Sequence, residues 1–115
     1  MILDLSKMQI ILKPGKTDFR KQINGLSKIV ACELKQDVFS KCLFIFCSAS
    51  RKRLKILYWD RNGFCLWLKR LEKDKFPWPK NITEAHTITY EQLKMLLDGI
   101  DFFAAYKSLS YKHVL

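Results

Sequence analysis

Residues 42–71 read CLFIFCSASRKRLKILYWDRNGFCLWLKRL, three apolar runs separated by two polar turns. The first run is apolar throughout, which is typical of a strand covered on both faces. The second turn contains Asn62-Gly63, a pair that favours a type I′ β-hairpin turn because both residues tolerate positive φ. The stretch therefore predicts an antiparallel meander of three strands, over 42–47, 54–59 and 64–71.

An amphipathic helix is predicted upstream of the meander, over about 18–35. The apolar positions that define it recur at three- and four-residue spacing, and they are Phe19, Ile23, Leu26, Ile29, Val30 and Leu34. Before this helix, Pro14-Gly15 predicts a turn, and Thr17 or Asp18 is expected to act as the helix N-cap.

Downstream of the meander, the segment Phe76-Pro77-Trp78-Pro79 cannot form a regular central strand, because proline lacks the backbone N–H. We expect it to be extended, with its aromatic rings packed across the sheet. A short edge strand is predicted at 86–88. Thr89 and Gln92 fit a helical capping box. The second helix that follows carries the apolar stripe Leu93, Leu96, Leu97 and Ile100 and ends near Gly99.

This order of elements predicts an α+β fold, in which both helices pack on one face of an antiparallel sheet of three to five strands. The length of 115 residues is most simply one domain. We assign residues 1–103 to that domain and residues 104–115 to a loose, basic C-terminal tail.

The net charge of the chain indicates which classes of partner the protein can bind. The chain has 21 Lys and Arg against 11 Asp and Glu, a formal net charge of +10. A field of that strength in a small domain attracts polyanions, whether nucleic acid, an anionic membrane surface or an acidic protein. The sequence predicts no transmembrane helix and no secretory signal, so a cytoplasmic location and no membrane partner are expected.

Catalytic patterns are not found in the sequence. It has no glycine-rich phosphate loop, and its four cysteines, which include no C-x-x-C pair, are expected to be free, buried thiols. Asp60, Asp98 and Asp101 are candidates for a two-metal nuclease cluster, but turn and helix-end roles are favoured for them. We predict no catalytic residue, no metal and no cofactor.

Basic residues form the more informative pattern. One group lies in the turn between the first two strands of the meander, and another lies where the third strand ends. In an antiparallel meander these two places share one end of the sheet, so the groups should converge into a positive patch suited to phosphate backbones. The predicted nucleic-acid contacts are Arg51, Lys52, Arg53, Lys55, Lys69, Arg70, Lys73 and Lys75, with Arg20 and Lys21 added from the first helix N-terminus. Core packing is the expected role of Trp59 and Trp67.

The same segments resemble a known family, the TnpB-type accessory proteins of insertion-sequence family 66, which are encoded by the second open reading frame of those elements. These proteins are distinct from the RNA-guided nuclease that shares the TnpB name. The matching motifs run in order along nearly the whole chain: Thr17 to Lys21 with Gly25-Leu26, Phe44 to Phe46, Arg53 to Asp60, Gly63 to Leu66, Lys69 to Glu72, Phe76 to Pro79 and Leu96 to Asp101. Asp74 and Phe102 depart from the family pattern, which has glycine and tryptophan there.

The resemblance implies a non-enzymatic accessory role in DNA transposition, alongside a separate, larger transposase and other element-encoded proteins. Three hypotheses follow. The first is non-catalytic binding of the element's DNA ends through the basic patch. The second is an adaptor that docks on the transposase through this patch or through the aromatic segment 76–78, without touching DNA. The third is a small nuclease built on the three aspartates. Oligomeric state is left open.

Overall fold

The computed structural model describes residues 7–80 and 86–100. Within these ranges the chain forms five strands and two helices. In chain order they are β1 Gln9–Lys16, α1 Ile23–Cys32, β2 Cys42–Cys47, β3 Arg53–Asp60, β4 Gly63–Arg70, β5 His86–Ile88 and α2 Tyr90–Leu97. The strands form one sheet in the order β4-β3-β2-β1-β5. The α+β class is confirmed, whereas the predicted tail 104–115 and Asp101 lie outside the described residues.

The meander is confirmed. Strand β2 pairs antiparallel with β3, and β3 pairs antiparallel with β4 in an unbroken register from Arg53↔Arg70 to Asp60↔Gly63. The hairpin loop consists of Arg61 and Asn62. Positive φ falls on Arg61, at 51°, rather than on Asn62 and Gly63, so the expected type I′ geometry is wrong in detail although the turn lies where it was predicted.

The sheet is mixed rather than purely antiparallel, which corrects the prediction. Strand β1 runs parallel to β2, and α1 forms the crossover that parallel strands require. Pro14-Gly15 does not end β1, because a register shift between Leu12 and Lys16 and a φ of 76° at Gly15 absorb the irregularity. At the other side of β1, β5 pairs antiparallel as the predicted edge strand.

Helix α1 is shorter than predicted, and its N-cap is Gln22 rather than Thr17 or Asp18. Thr17 continues the extended chain, since its backbone N–H donates to the carbonyl of Cys47 at 2.8 Å. The Asp18 carboxylate instead accepts from the backbone N–H of Arg20 at 2.9 Å, which closes a tight turn before the helix begins.

The two helices cover opposite faces of the sheet, contrary to the prediction of a single covered face. Leu26, Ile29 and Val30 of α1 pack with Phe44 and the other side chains on their side of the sheet. Leu93 and Leu96 of α2 pack on the other face with an alternate set of strand residues and the segment 76–78. All six residues of β2 are buried because this strand is covered from both sides.

The aromatic segment 76–78 packs on the sheet as predicted. Phe76 is fully buried, Trp78 is 7% exposed, and the indole Nε1 of Trp78 donates to the carbonyls of Lys13 and Gly15, both at 3.0 Å. Trp67 is 43% exposed on edge strand β4. The core tryptophan is therefore Trp78, and the core role expected for Trp67 is wrong.

Helix α2 has the predicted ends. The Thr89 hydroxyl accepts from the backbone N–H of Gln92, and the Gln92 side chain accepts from the backbone N–H of Thr89. At the C-terminus, Gly99 has a φ of 75°, and the N–H groups of Gly99 and Ile100 donate to the carbonyls of Leu96 and Met95 in a Schellman motif. Neither helix in the described ranges has the length and apolar character needed to span a bilayer.

Candidate nucleic-acid interface

The two predicted groups of basic residues do meet at one end of the sheet. The backbone N–H of Leu71 donates to the carbonyl of Lys52 at 2.7 Å, and that of Phe76 donates to the carbonyl of Arg51 at 2.7 Å. These bonds hold the segment that leaves β4 against the turn that precedes β3. The convergence expected from the meander is therefore present in the structure.

Two more lysines join this end, and sequence patterns did not single them out. Lys16 ends β1, which finishes beside the C-terminus of β2 because the two strands are parallel. Lys80 follows Pro79, whose carbonyl accepts from the backbone N–H of Gly15 at 2.8 Å. We define the basic end of the sheet by eight side chains: Lys16, Arg51, Lys52, Arg53, Arg70, Lys73, Lys75 and Lys80.

The turn that carries three of these cations is held by Ser48, which is buried. The Ser48 hydroxyl accepts from the backbone N–H of Arg53 at 3.2 Å, and the Ser48 carbonyl accepts from that of Arg51 at 3.0 Å. Arg51 has a φ of 61°, a conformation that non-glycine residues rarely adopt. The short hydroxyl side chain thus fixes the backbone from which the turn's basic side chains project.

Lys55 has a different position from the one expected. Its side chain is 6% exposed, and its ammonium donates to the carbonyls of Phe19 and Lys21, both at 2.9 Å, while lying 4.9 Å from the centre of the Phe19 ring. Burial lowers the pKa of Lys55, and the nearby positive charge of Arg53 lowers it further. Lys55 connects β3 to the segment before α1, so a phosphate contact by this residue is not compatible with its placement.

Lys69 is half-buried, and its ammonium donates to the carbonyl of Leu97 at 2.8 Å. A cation at the C-terminus of a helix is favoured by the helix dipole and by the carbonyls that lack helical partners. This lysine therefore attaches α2 to edge strand β4, beside the basic end rather than in it.

Arg20 and Lys21, the outlying members of the predicted set, lie on the α1 side of the sheet. Arg20 is strongly exposed, and its guanidinium pairs with the Asp18 carboxylate at 2.8 Å. The hydrogen bond from Arg20 lowers the pKa of Asp18 to about 2. The ring of Phe19, the residue that precedes Arg20, lies 5.3 Å from the Arg53 guanidinium, which places this segment next to the basic end.

The far end of the same meander has a different character. Phe39, Trp59 and Phe64 form an aromatic cluster with ring centres 4.9 to 5.6 Å apart, and Phe39 is 60% exposed. We call these three side chains the aromatic end. Asp60 lies in this hairpin and pairs weakly with Arg61 at 4.0 Å.

The nuclease hypothesis gains nothing from the geometry. Within residues 7–80 and 86–100, no group of three or more His, Cys, Asp or Glu side chains could hold a metal ion. Asp60 is at the aromatic end, where it pairs with Gly63 of β4. Asp98 lies at the end of α2, and that end contacts Lys69, which is six residues further along β4 than Gly63. The two aspartates therefore lie at different ends of the strand.

Two of the cysteines, Cys42 and Cys47, are buried as expected, and burial raises the pKa of Cys47 to about 12. Cys32 is exposed, so its expected burial is wrong.

The comparisons with known proteins identify the family. The family described as "IS66 Orf2 like protein" matches residues 8–107. The chain is 32% identical over 95 residues to "Uncharacterized protein y4jC" of Sinorhizobium fredii, covering 83% of this chain and 81% of that protein. It is 35% identical to "Uncharacterized protein y4hO" of the same organism, covering 83% of each. No solved structure gives a significant match. The chain therefore belongs to the IS66 Orf2-like family, the accessory proteins of IS66 transposition.

Proposed function

We propose that this accessory protein binds DNA without cleaving it, and that the basic end of the sheet contacts the phosphate backbone. The supporting observation is the concentration of charge. Eight cations share this end with two carboxylates, Glu72 and Asp74, a formal excess of six positive charges. Among the described residues, Arg70 alone of the eight lies within 4.0 Å of a carboxylate, that of Glu72. The other seven positive charges are available to an anionic partner.

The Coulomb energy between exposed cations and phosphates is modest for each pair, but binding also releases the counterions condensed on DNA. Affinity for duplex DNA should therefore fall steeply with salt. The logarithmic slope is expected to be roughly −0.9 for each phosphate that the protein neutralises.

A salt titration with matched charge variants tests this proposal. Lys52 and Lys73 are exposed at the basic end, and Lys28 and Lys41 are exposed elsewhere. Each double change to alanine removes two positive charges from the net charge of +10. Fluorescence anisotropy with labelled element-end duplex should show that the Lys52→Ala/Lys73→Ala slope is shallower by about two, whereas Lys28→Ala/Lys41→Ala keeps the original slope.

Two results contradict the proposal. One is the absence of duplex binding by the unaltered protein at low salt. The other is an equal change of slope in both double variants, because net charge rather than the basic end would then govern binding.

A second candidate function is an adaptor that docks on the transposase. The observation in its favour is the exposed Phe39 ring at the aromatic end, since aromatic side chains are enriched at protein interfaces. The buried segment 76–78 is not available for that role, which corrects one form of the adaptor hypothesis. Co-purification with the transposase that survives nuclease treatment and is lost in Phe39→Ala, without any duplex binding, would favour the adaptor.

A further inference from the structure

A pocket of about 420 Å³ opens within the basic end, where β1 and β2 finish side by side. A cavity of this volume is in the range that holds small ligands. Gly15, Ser48 and Trp78 line it together with four basic side chains.

The lining has one sign of charge. Four of its side chains are cations and none is a carboxylate: Lys16, Arg51, Lys75 and Lys80. In the described ranges, the ion pairs of the molecule involve other cations, so none of these four has a carboxylate within 4.0 Å. Gathering four like charges around one concavity is unfavourable unless a counter-charge enters it. The pocket is therefore suited to a group with more than one negative charge.

Hydrogen bonds from one side chain and from the backbone fix the walls of this pocket. The indole N–H of Trp78 donates to the carbonyls of Lys13 and Gly15, and the backbone N–H of Gly15 donates to the carbonyl of Pro79. On the other wall, the N–H of Phe76 donates to the carbonyl of Arg51. A site whose walls are held in place loses little conformational entropy when a ligand binds, which favours affinity.

We propose that this pocket binds the terminal phosphate of a nucleic-acid strand together with part of its last nucleotide. The inference rests on the proposed DNA-binding function and names the part of DNA that this site takes. A terminal phosphate monoester carries about −1.5 to −2 charge at pH 7, whereas each phosphate inside a strand carries one. A strand end can also project into a concave site. The remainder of the basic end, with Lys52 and Lys73 outside the pocket lining, is left for the phosphates of the duplex.

The test compares short single-stranded oligonucleotides of one sequence with a 5′-phosphate, a 3′-phosphate or only hydroxyl ends. The full-length protein should bind one or both phosphorylated strands about tenfold more tightly than the hydroxyl strand, as charge-assisted hydrogen bonds to one extra charged group would give. The preferred end identifies the polarity of the site. This preference should shrink at pH 5, because the second pKa of a phosphate monoester is about 6.

Variants separate the pocket from the rest of the basic end. Lys75→Ala/Lys80→Ala removes two exposed cations from the lining and should abolish the preference for a phosphorylated end. Lys52→Ala/Lys73→Ala removes two cations outside the lining and should weaken the binding of all three oligonucleotides by the same factor, with the ratio retained.

Equal affinity for the three oligonucleotides overturns the inference, as does a preference that survives in Lys75→Ala/Lys80→Ala. Binding of a free nucleoside monophosphate without any end preference overturns it too, since the site would then serve a small metabolite. The parent proposal is judged separately by the duplex titration. Duplex binding without an end preference removes only the pocket assignment, and an end preference without duplex binding removes only the duplex function.

Discussion

The basic end and the aromatic end lie at opposite ends of the same three-stranded meander, yet the chemistry of their side chains differs. The basic end has eight cations, a pocket and a turn held by a buried serine. The aromatic end has three clustered rings around a two-residue hairpin loop. The same small sheet therefore presents two surfaces of different chemistry, cations at one end and clustered aromatic rings at the other.

The largest expected effect is on stability, and it compares a buried aromatic residue beside the basic end, Trp78, with an exposed one at the aromatic end, Phe39. Trp78→Ala should lower the free energy of unfolding by about 3–5 kcal/mol, because it removes a large buried side chain and leaves a cavity. Phe39→Ala should cost about 1 kcal/mol, since the ring is largely exposed and loses only its contacts with Trp59 and Phe64. Urea denaturation followed by circular dichroism measures both values. Equal losses in the two variants would contradict the contrast.

Lys55 offers the second test, because it is the buried cation beside the basic end. Lys55→Ala should cost about 2 kcal/mol, as two backbone carbonyls lose a charged donor, whereas exposed Lys52→Ala should change stability by less than about 0.5 kcal/mol. Urea denaturation at pH 7 compares the two variants with the unaltered protein.

The contribution of Lys55 to stability should also change with pH, in a direction that its pKa determines. The pKa of Lys55 in the folded protein is below its ordinary value of 10.5, so between the two values the unfolded chain binds more protons. Stability then rises with pH across that window. The gap between the unaltered protein and Lys55→Ala should therefore be wider at pH 10 than at pH 7, and a narrower gap would show that the ammonium is stabilised by its site.

Much of the fold could be predicted because its signals are local. The apolar runs, the hairpin at 60–63 and the capping box of Thr89 and Gln92 each depend on residues close together in sequence, and each is found where the pattern indicated. The parallel pairing of β1 with β2 depends instead on how the chain returns after α1. Pro14-Gly15 suggested a turn, and no local pattern reports that a strand tolerates it as an irregularity.

Two errors nevertheless had signals in the sequence. A fully apolar β2 requires cover on both faces, which is incompatible with two helices on a single face. Alternation along β3 places Lys55 on the same face as buried Leu57, beneath α1, so its burial follows from the period of two. Lys16 and Lys80 could not be found in this way, because their proximity to the basic turn arises from the parallel pairing and from the path of the segment after Phe76.

The smallest expected effect concerns Arg20, a cation near the basic end that already has a carboxylate partner. The folded-state pKa of Asp18 is about 2, below its ordinary value of 3.8, so this pair stabilises the fold above pH 4 and the contribution is lost as pH falls through 2. Asp18→Asn should be slightly less stable than the unaltered protein at pH 7, since both side chains of the pair are exposed to solvent. That difference should close between pH 4 and pH 2 in urea unfolding experiments. Arg20→Ala is the matched control, because it removes the same ion pair by deleting the cation. Its stability difference from the unaltered protein should also close between pH 4 and pH 2. A gap in either variant that persists unchanged at pH 2 would mean that the ion pair makes no contribution to stability.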